Sequence, residues 1–211
     1  RFGQGGQLLG ADAPELDTQW RPCQLEPEAG DTPVPLRQAY AAKFGGAERT
    51  EQILGQTQTT ARAEGLPMDF SQGQVRVTTL PAHRVLWLAG EQGVQDAVGE
   101  ALFRAHFEHG QNLADTAVLV KAGVAGGLDG AEIAQMLASD RGQAEVEDKL
   151  AQAHALGISP VPTFVIDGRW AISVAQPAET FANALRQIAG EQGAPVAAAG
   201  DEACCPAGSP V

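Results

Sequence analysis

The stretch from Ser159 to Ile188 limits the folds open to this chain more than any other. Ser159-Pro160-Val161-Pro162 cannot continue a helix, because neither proline has a backbone N–H and each ring crowds the preceding turn. Directly after it come Thr163-Phe164-Val165-Ile166, all β-branched or aromatic, and then Asp167-Gly168, the strongest two-residue hairpin signal in the sequence. Residues 169–174 supply the returning strand. Pro177, Phe181, Leu185 and Ile188, closed by Gly190, then mark one face of an amphipathic helix. A proline turn, a hairpin and a helix in that order make this end of the chain mixed α/β.

Upstream the pattern differs. Residues 1–16 are rich in Gly, Gln and Ala and read as a connector. Residues 17–25 carry Trp20, Cys23 and Leu25 and predict a strand, placed at a sheet edge because Pro22 cannot donate to a ladder. From Pro35 to about Asp140 helical periods dominate: a helix over residues 47–64, another after Pro81, and a third whose Val94, Val98, Leu102 and Ala105 share one face. Asp115 and Asp129 are placed to cap helices, and Asp129 with Glu132 forms a capping-box pattern. Val146, Leu150 and Ala153 mark a further helix, stopped at Gly157. Residues 191–211 are small, interrupted by Pro and Gly, and read as a flexible tail.

With 211 residues, 44% hydrophobic and 19% charged, the chain has a globular composition and is long enough to bury about 70% of its unfolded surface. No stretch approaches the roughly 20 apolar residues of a membrane helix. A net charge of −12 repels phosphate backbones and anionic lipid, so neither nucleic acid nor a membrane is an expected partner. Gly3-Gln4-Gly5-Gly6 lacks the following Gly-Lys-Ser/Thr of a phosphate loop. His106 and His109, at i and i+3, have metal-ligand spacing, but the sequence supplies no third or fourth ligand; the expectation is a surface or helix-end pair and no metal. No cofactor is expected either.

Several segments together carry a resemblance: Trp20-Arg21-Pro22-Cys23-Gln24-Leu25, Ala82-His83-Arg84-Val85-Leu86, Ala101-Leu102-Phe103-Arg104-Ala105, the run from Gly157 to Gly168, and Val174-Ala175-Gln176-Pro177. In order and spacing they resemble the DsbA-like thioredoxin superfamily in its FrnE branch, over about residues 18–188. Relatives in that superfamily include 2-hydroxychromene-2-carboxylate isomerases and kappa-class glutathione transferases. The fold implied is α/β, thioredoxin-like with a large all-helical insertion. Its parts are a partial thioredoxin-like domain at 1–34, the insertion at 35–140, the C-terminal half of the thioredoxin-like domain at 141–190, and the acidic tail at 191–211.

The resemblance implies a Cys-x-x-Cys where the first strand meets the first helix, with the helix N-terminus stabilising the attacking thiolate. These residues contain none, and the first strand is missing with it, so an upstream segment is expected in the working protein. Cys23 stands at a strand position where an aromatic residue is usual and is expected to be a small buried core residue. Thr78 departs from the asparagine usual before the Ala-His-Arg segment. Val161-Pro162 matches the loop that faces the reactive cysteines: Pro162 is expected to be cis, and Val161, Pro162 and Thr163 to line an extended substrate chain, with His83 at the cleft. Cys204 and Cys205 form a candidate accessory redox pair, adjacent and therefore unsuited to a relaxed bridge, with Asp201 and Glu202 disfavouring the thiolates.

The resemblance thus implies a thiol-disulfide oxidoreductase or disulfide isomerase acting on cysteine-containing protein substrates. Glutathione or a thioredoxin-type reductant is the expected redox partner, and the cytoplasm the expected compartment. Two alternatives stay open: a glutathione-dependent isomerase or transferase on the same fold, and a redox-inactive peptide-binding module.

Overall fold

A computed structural model of the chain describes residues 8–9, 16–173 and 176–193. Two compact units divide it: Asp17–Val161, and Arg1–Leu16 together with Pro162–Val211.

The Asp17–Val161 unit is helical. After an irregular start, β1 (Val34–Pro35) pairs antiparallel with β2 (Val75–Arg76), Val34 opposite Arg76 and Pro35 opposite Val75. Helix α1 (Leu36–Phe44) and helix α2 (Ala47–Ala63) lie between these strands in sequence. They join through Gly45 and Gly46, whose φ of 83° and 129° need the absence of a Cβ. Helices α3 (Leu80–Glu91), α4 (Gln95–Phe107), α5 (Thr116–Ala125), α6 (Gly130–Leu137) and α7 (Gln143–Ala155) follow. The two-residue β1–β2 ladder inside the block was not legible as strands, since neither pair alternates and Pro35 lacks a donor.

Helix boundaries follow local chemistry. Pro81 sits in the first turn of α3, where a missing N–H costs nothing. Asp115 accepts from the Ala117 N–H at 2.8 Å and Asp129 from the Glu132 N–H at 2.8 Å, starting α5 and α6. Only half of the expected capping box forms. The Glu132 carboxylate turns outward instead, to Arg141 at 2.9 Å and the Gln92 amide at 2.9 Å.

The main core gathers on α3 to α6: Val85, Leu88, Val98, Leu119, Ile133 and Met136 are all essentially inaccessible. Each such side chain stabilises the fold by roughly 1.5–3 kcal/mol. Val98, Leu102 and Ala105 of α4 are buried as their spacing predicts. Helix α7 packs on α3 and buries Val146. A smaller cluster of Leu36, Leu54 and Phe70, with Tyr40, Met68 and Phe107, ties α1 and α2 to the 66–74 loop. Glu26 pins the irregular start by accepting from Lys43 of α1 at 2.6 Å and from Arg76 of β2. Those two cations hold its carboxyl below the usual range, Lys43 contributing most.

Residues 17–25 do not form the expected edge strand. A side chain replaces the ladder: Gln95 accepts from the Trp20 N–H at 2.9 Å and donates to the Trp20 carbonyl at 3.3 Å. The Trp20 indole donates to Asp96 at 2.5 Å. Trp20's backbone is thus met by an amide, and Pro22 has no donor to offer. Leu25, expected to belong to that strand, is exposed.

The second unit contains β3 (Thr163–Ile166), β4 (Trp170–Ser173) and α8 (Ala178–Gly193). β3 and β4 form the predicted antiparallel hairpin, from Thr163 opposite Ser173 to Ile166 opposite Trp170. Asp167 and Gly168 both have positive φ, 51° and 66°, and the Arg169 N–H donates to the Ile166 carbonyl at 3.1 Å. Those are the dihedral signs of a type I′ turn. Phe181, Ala182, Leu185 and Ile188 bury the apolar face of α8, and Phe181 meets Phe164 edge-on at 4.8 Å. Arg186 of α8 donates to the Leu8 carbonyl at 2.9 Å. Helix α8 runs on to Gly193 rather than ending at Gly190, since a single glycine costs a helix only about 1 kcal/mol. Among the described residues no helix is long and apolar enough to cross a membrane.

Candidate functional site

The chain passes from the helical unit to the hairpin unit at the Val161–Pro162 peptide bond. Helix α7 ends at Ala155, and Gly157, with φ of 69°, turns the chain out of it. Leu156, Ser159, Pro160, Val161 and Pro162 are then all exposed, and Thr163 opens β3. Val161 is 41% accessible, and among the described residues no hydrogen bond engages its backbone. A bare N–H and C=O beside an ordered strand can receive an extended chain by backbone pairing. The chain bends through residues 160–162 before β3, with the φ of Pro162 limited by its ring to near −65°.

His83 lies in the first turns of α3, where its ring shares a hydrogen bond with the backbone of Cys23. Its Nε2 is buried without a partner. Burial pushes its pKa down to about 4, against a smaller upward pull from the Cys23 backbone. At neutral pH it is an uncharged imidazole that anchors the irregular segment to α3. Cys23 itself is half-buried with a free thiol, less enclosed than a core residue, because the expected strand around it does not form. Cys204 and Cys205 lie outside the described residues.

His106 and His109 lie together at the C-terminal end of α4, a helix-end pair of unequal exposure. His106 sits inside α4, its pKa lowered by burial and its ring edge-on to Phe107 at 4.8 Å, whereas His109 follows the helix and is exposed. Among the described residues no group of three His, Cys, Asp or Glu side chains could hold a metal. Two open clefts, of about 530 and 390 Å³, lie at residues Gly45 to Gln52 and between Arg37 and Asp69. Neither includes residues 161–163.

Two features escaped the sequence reading. Arg84 is only 7% exposed and is spent on carbonyls rather than a carboxylate: it donates to Met136 at 2.6 Å, to Arg141 at 2.8 and 3.1 Å, and to Ser139. Its signal is a cation four residues before buried Leu88, on the apolar face of α3. The other is an aromatic run, Trp20 to Phe103 at 6.1 Å, Phe103 to Phe107 at 6.2 Å and Phe107 to Phe70 at 6.3 Å, with Trp20 and Phe103 about half exposed. Spacing of i, i+4 on α4 places Phe103 beside Phe107, but only the fold adds the other two.

Comparison with known proteins agrees with this layout. No curated protein matches the chain. A probable DsbA oxidoreductase from Streptomyces coelicolor is similar in structure, with a TM-score of 0.81 and 31% identity, covering 100% of this chain and 92% of that one. A candidate protein disulfide isomerase from Nitrosomonas europaea shares the fold at a TM-score of 0.58 and 18% identity, covering 78% of this chain and 80% of that one. The fold is therefore the helix-rich α/β thioredoxin type with a helical insertion. Residues 7–186 match the DSBA-like thioredoxin domain, and the chain belongs to that family.

Proposed function

We propose that this protein is a thiol-disulfide oxidoreductase or disulfide isomerase acting on cysteine-containing polypeptides, with Val161, Pro162 and Thr163 as the substrate platform. The observation that carries the reading is the exposed backbone of Val161, without a hydrogen bond among the described residues, immediately before Pro162 and β3 in a chain of the DSBA-like family. The Streptomyces relative, a probable DsbA oxidoreductase, supports the redox class.

In the reductive direction, an enzyme thiolate attacks one sulfur of a substrate disulfide. A mixed disulfide forms and the other substrate sulfur leaves as a thiolate. A second enzyme thiolate then attacks the enzyme-side sulfur of the mixed disulfide, releasing the remaining substrate thiol and leaving an enzyme disulfide. Electrons return through glutathione or a thioredoxin-type dithiol. The platform aligns the substrate chain so that its sulfur is presented at fixed distance; Pro162 supplies rigidity and the backbone of Val161 supplies the pairing. Cys204 and Cys205 are assigned an accessory role, exchanging with the enzyme disulfide. Three cysteines in the sequence, too few for a disulfide-stapled scaffold, support a cytoplasmic setting.

The reaction needs a pair of reactive thiols, and residues 1–211 contain no Cys-x-x-Cys. The protein is assayed for insulin reduction with a dithiol reductant. Turnover above the uncatalysed rate is the expected result; its absence overturns the oxidoreductase reading and leaves the peptide-binding one. Replacing Cys204 and Cys205 together by Ser lowers turnover if they relay electrons, and unchanged turnover removes that role.

A further inference from the structure

We draw no further inference here: the strongest candidate, the half-exposed aromatic surface patch of Trp20 and Phe103 along α4, carries nothing, because the flanking Asp96 and Glu100 are already paired with Trp20 and Arg104 and nothing in the structure shows what covers it.

Discussion

Replacing Arg84 by Met removes the clamp on the α6–α7 connection while keeping most of the apolar stem. Arg84 makes four hydrogen bonds to three carbonyls, those of Met136, Ser139 and Arg141. The Met136 carbonyl keeps the Ser139 N–H and hydroxyl as donors, at 3.1 and 3.0 Å. The carbonyls of Ser139 and Arg141 have no other donor among the described residues. Leaving a buried acceptor unmet costs about 1–3 kcal/mol, and these two lie near enough to the surface for the lower half of that range. Losing the charge-assisted bonds adds to this, and relief of guanidinium desolvation subtracts. The net expectation is a loss of about 3 kcal/mol, a large fraction of the 5–15 kcal/mol that holds a typical domain. For a chain of this length that corresponds to roughly 10 °C in Tm. Urea unfolding followed by far-UV circular dichroism measures it, with Arg84→Lys expected to lose about half as much because an ammonium cannot span three carbonyls. An Arg84→Met variant within about 0.5 kcal/mol of the parent would mean that water satisfies these carbonyls, and the clamp argument would be wrong.

Four further outcomes are expected. Gly142→Ala sets a Cβ at 2.5 Å from the Trp87 ring with φ of 79°, and should cost about 2–4 kcal/mol in urea unfolding; a loss below 1 kcal/mol contradicts the close approach. Asp129→Ala removes the α6 cap and should lower stability by about 1 kcal/mol, whereas Asp129→Asn should lose little. His83, with a folded pKa of about 4 against an ordinary 6.5, leaves the unfolded chain binding more protons between those values. Stability is therefore fully present above pH 6.5 and falls as pH drops towards 4, by about 3 kcal/mol; His83→Phe should flatten this slope, and an unchanged slope refutes the assignment. Val161→Pro deletes the platform N–H and should raise KM for a peptide disulfide about fivefold with little change in kcat, one hydrogen bond being worth about 1 kcal/mol. An unchanged KM removes Val161 from the platform.

What could be read in advance was whatever depends on neighbours in sequence. The α2, α3 and α4 helices, the Asp115 and Asp129 caps and the Asp167-Gly168 turn all follow from periodicities and dihedral preferences that act over a few residues. Residues 17–25 failed for the complementary reason. Their composition suits a strand, but a strand exists only where a second one pairs with it, and here the Gln95 amide satisfies Trp20 instead. Glu132 shows the same effect on a smaller scale: the capping-box pattern is local, and Arg141 and Gln92 take the carboxylate away.

The candidate site divides along the same line. Val161-Pro162 was singled out by its resemblance to the loop facing the reactive cysteines, and the purely local part of that reading is the limit each proline sets on its own φ. The hydrogen bond between the His83 ring and the Cys23 backbone rests on an irregular segment that no periodicity marks, so the sequence alone does not show it. The proposed platform of Val161, Pro162 and Thr163 also contributes no titratable group. If its work is backbone pairing, truncating the Val161 side chain to Ala leaves the donor and acceptor in place and should barely move KM, while Val161→Pro keeps an apolar side chain and deletes the donor. Opposite outcomes from those two substitutions separate a backbone platform from an apolar side-chain contact, a distinction that neither the residue's identity nor its exposure can make.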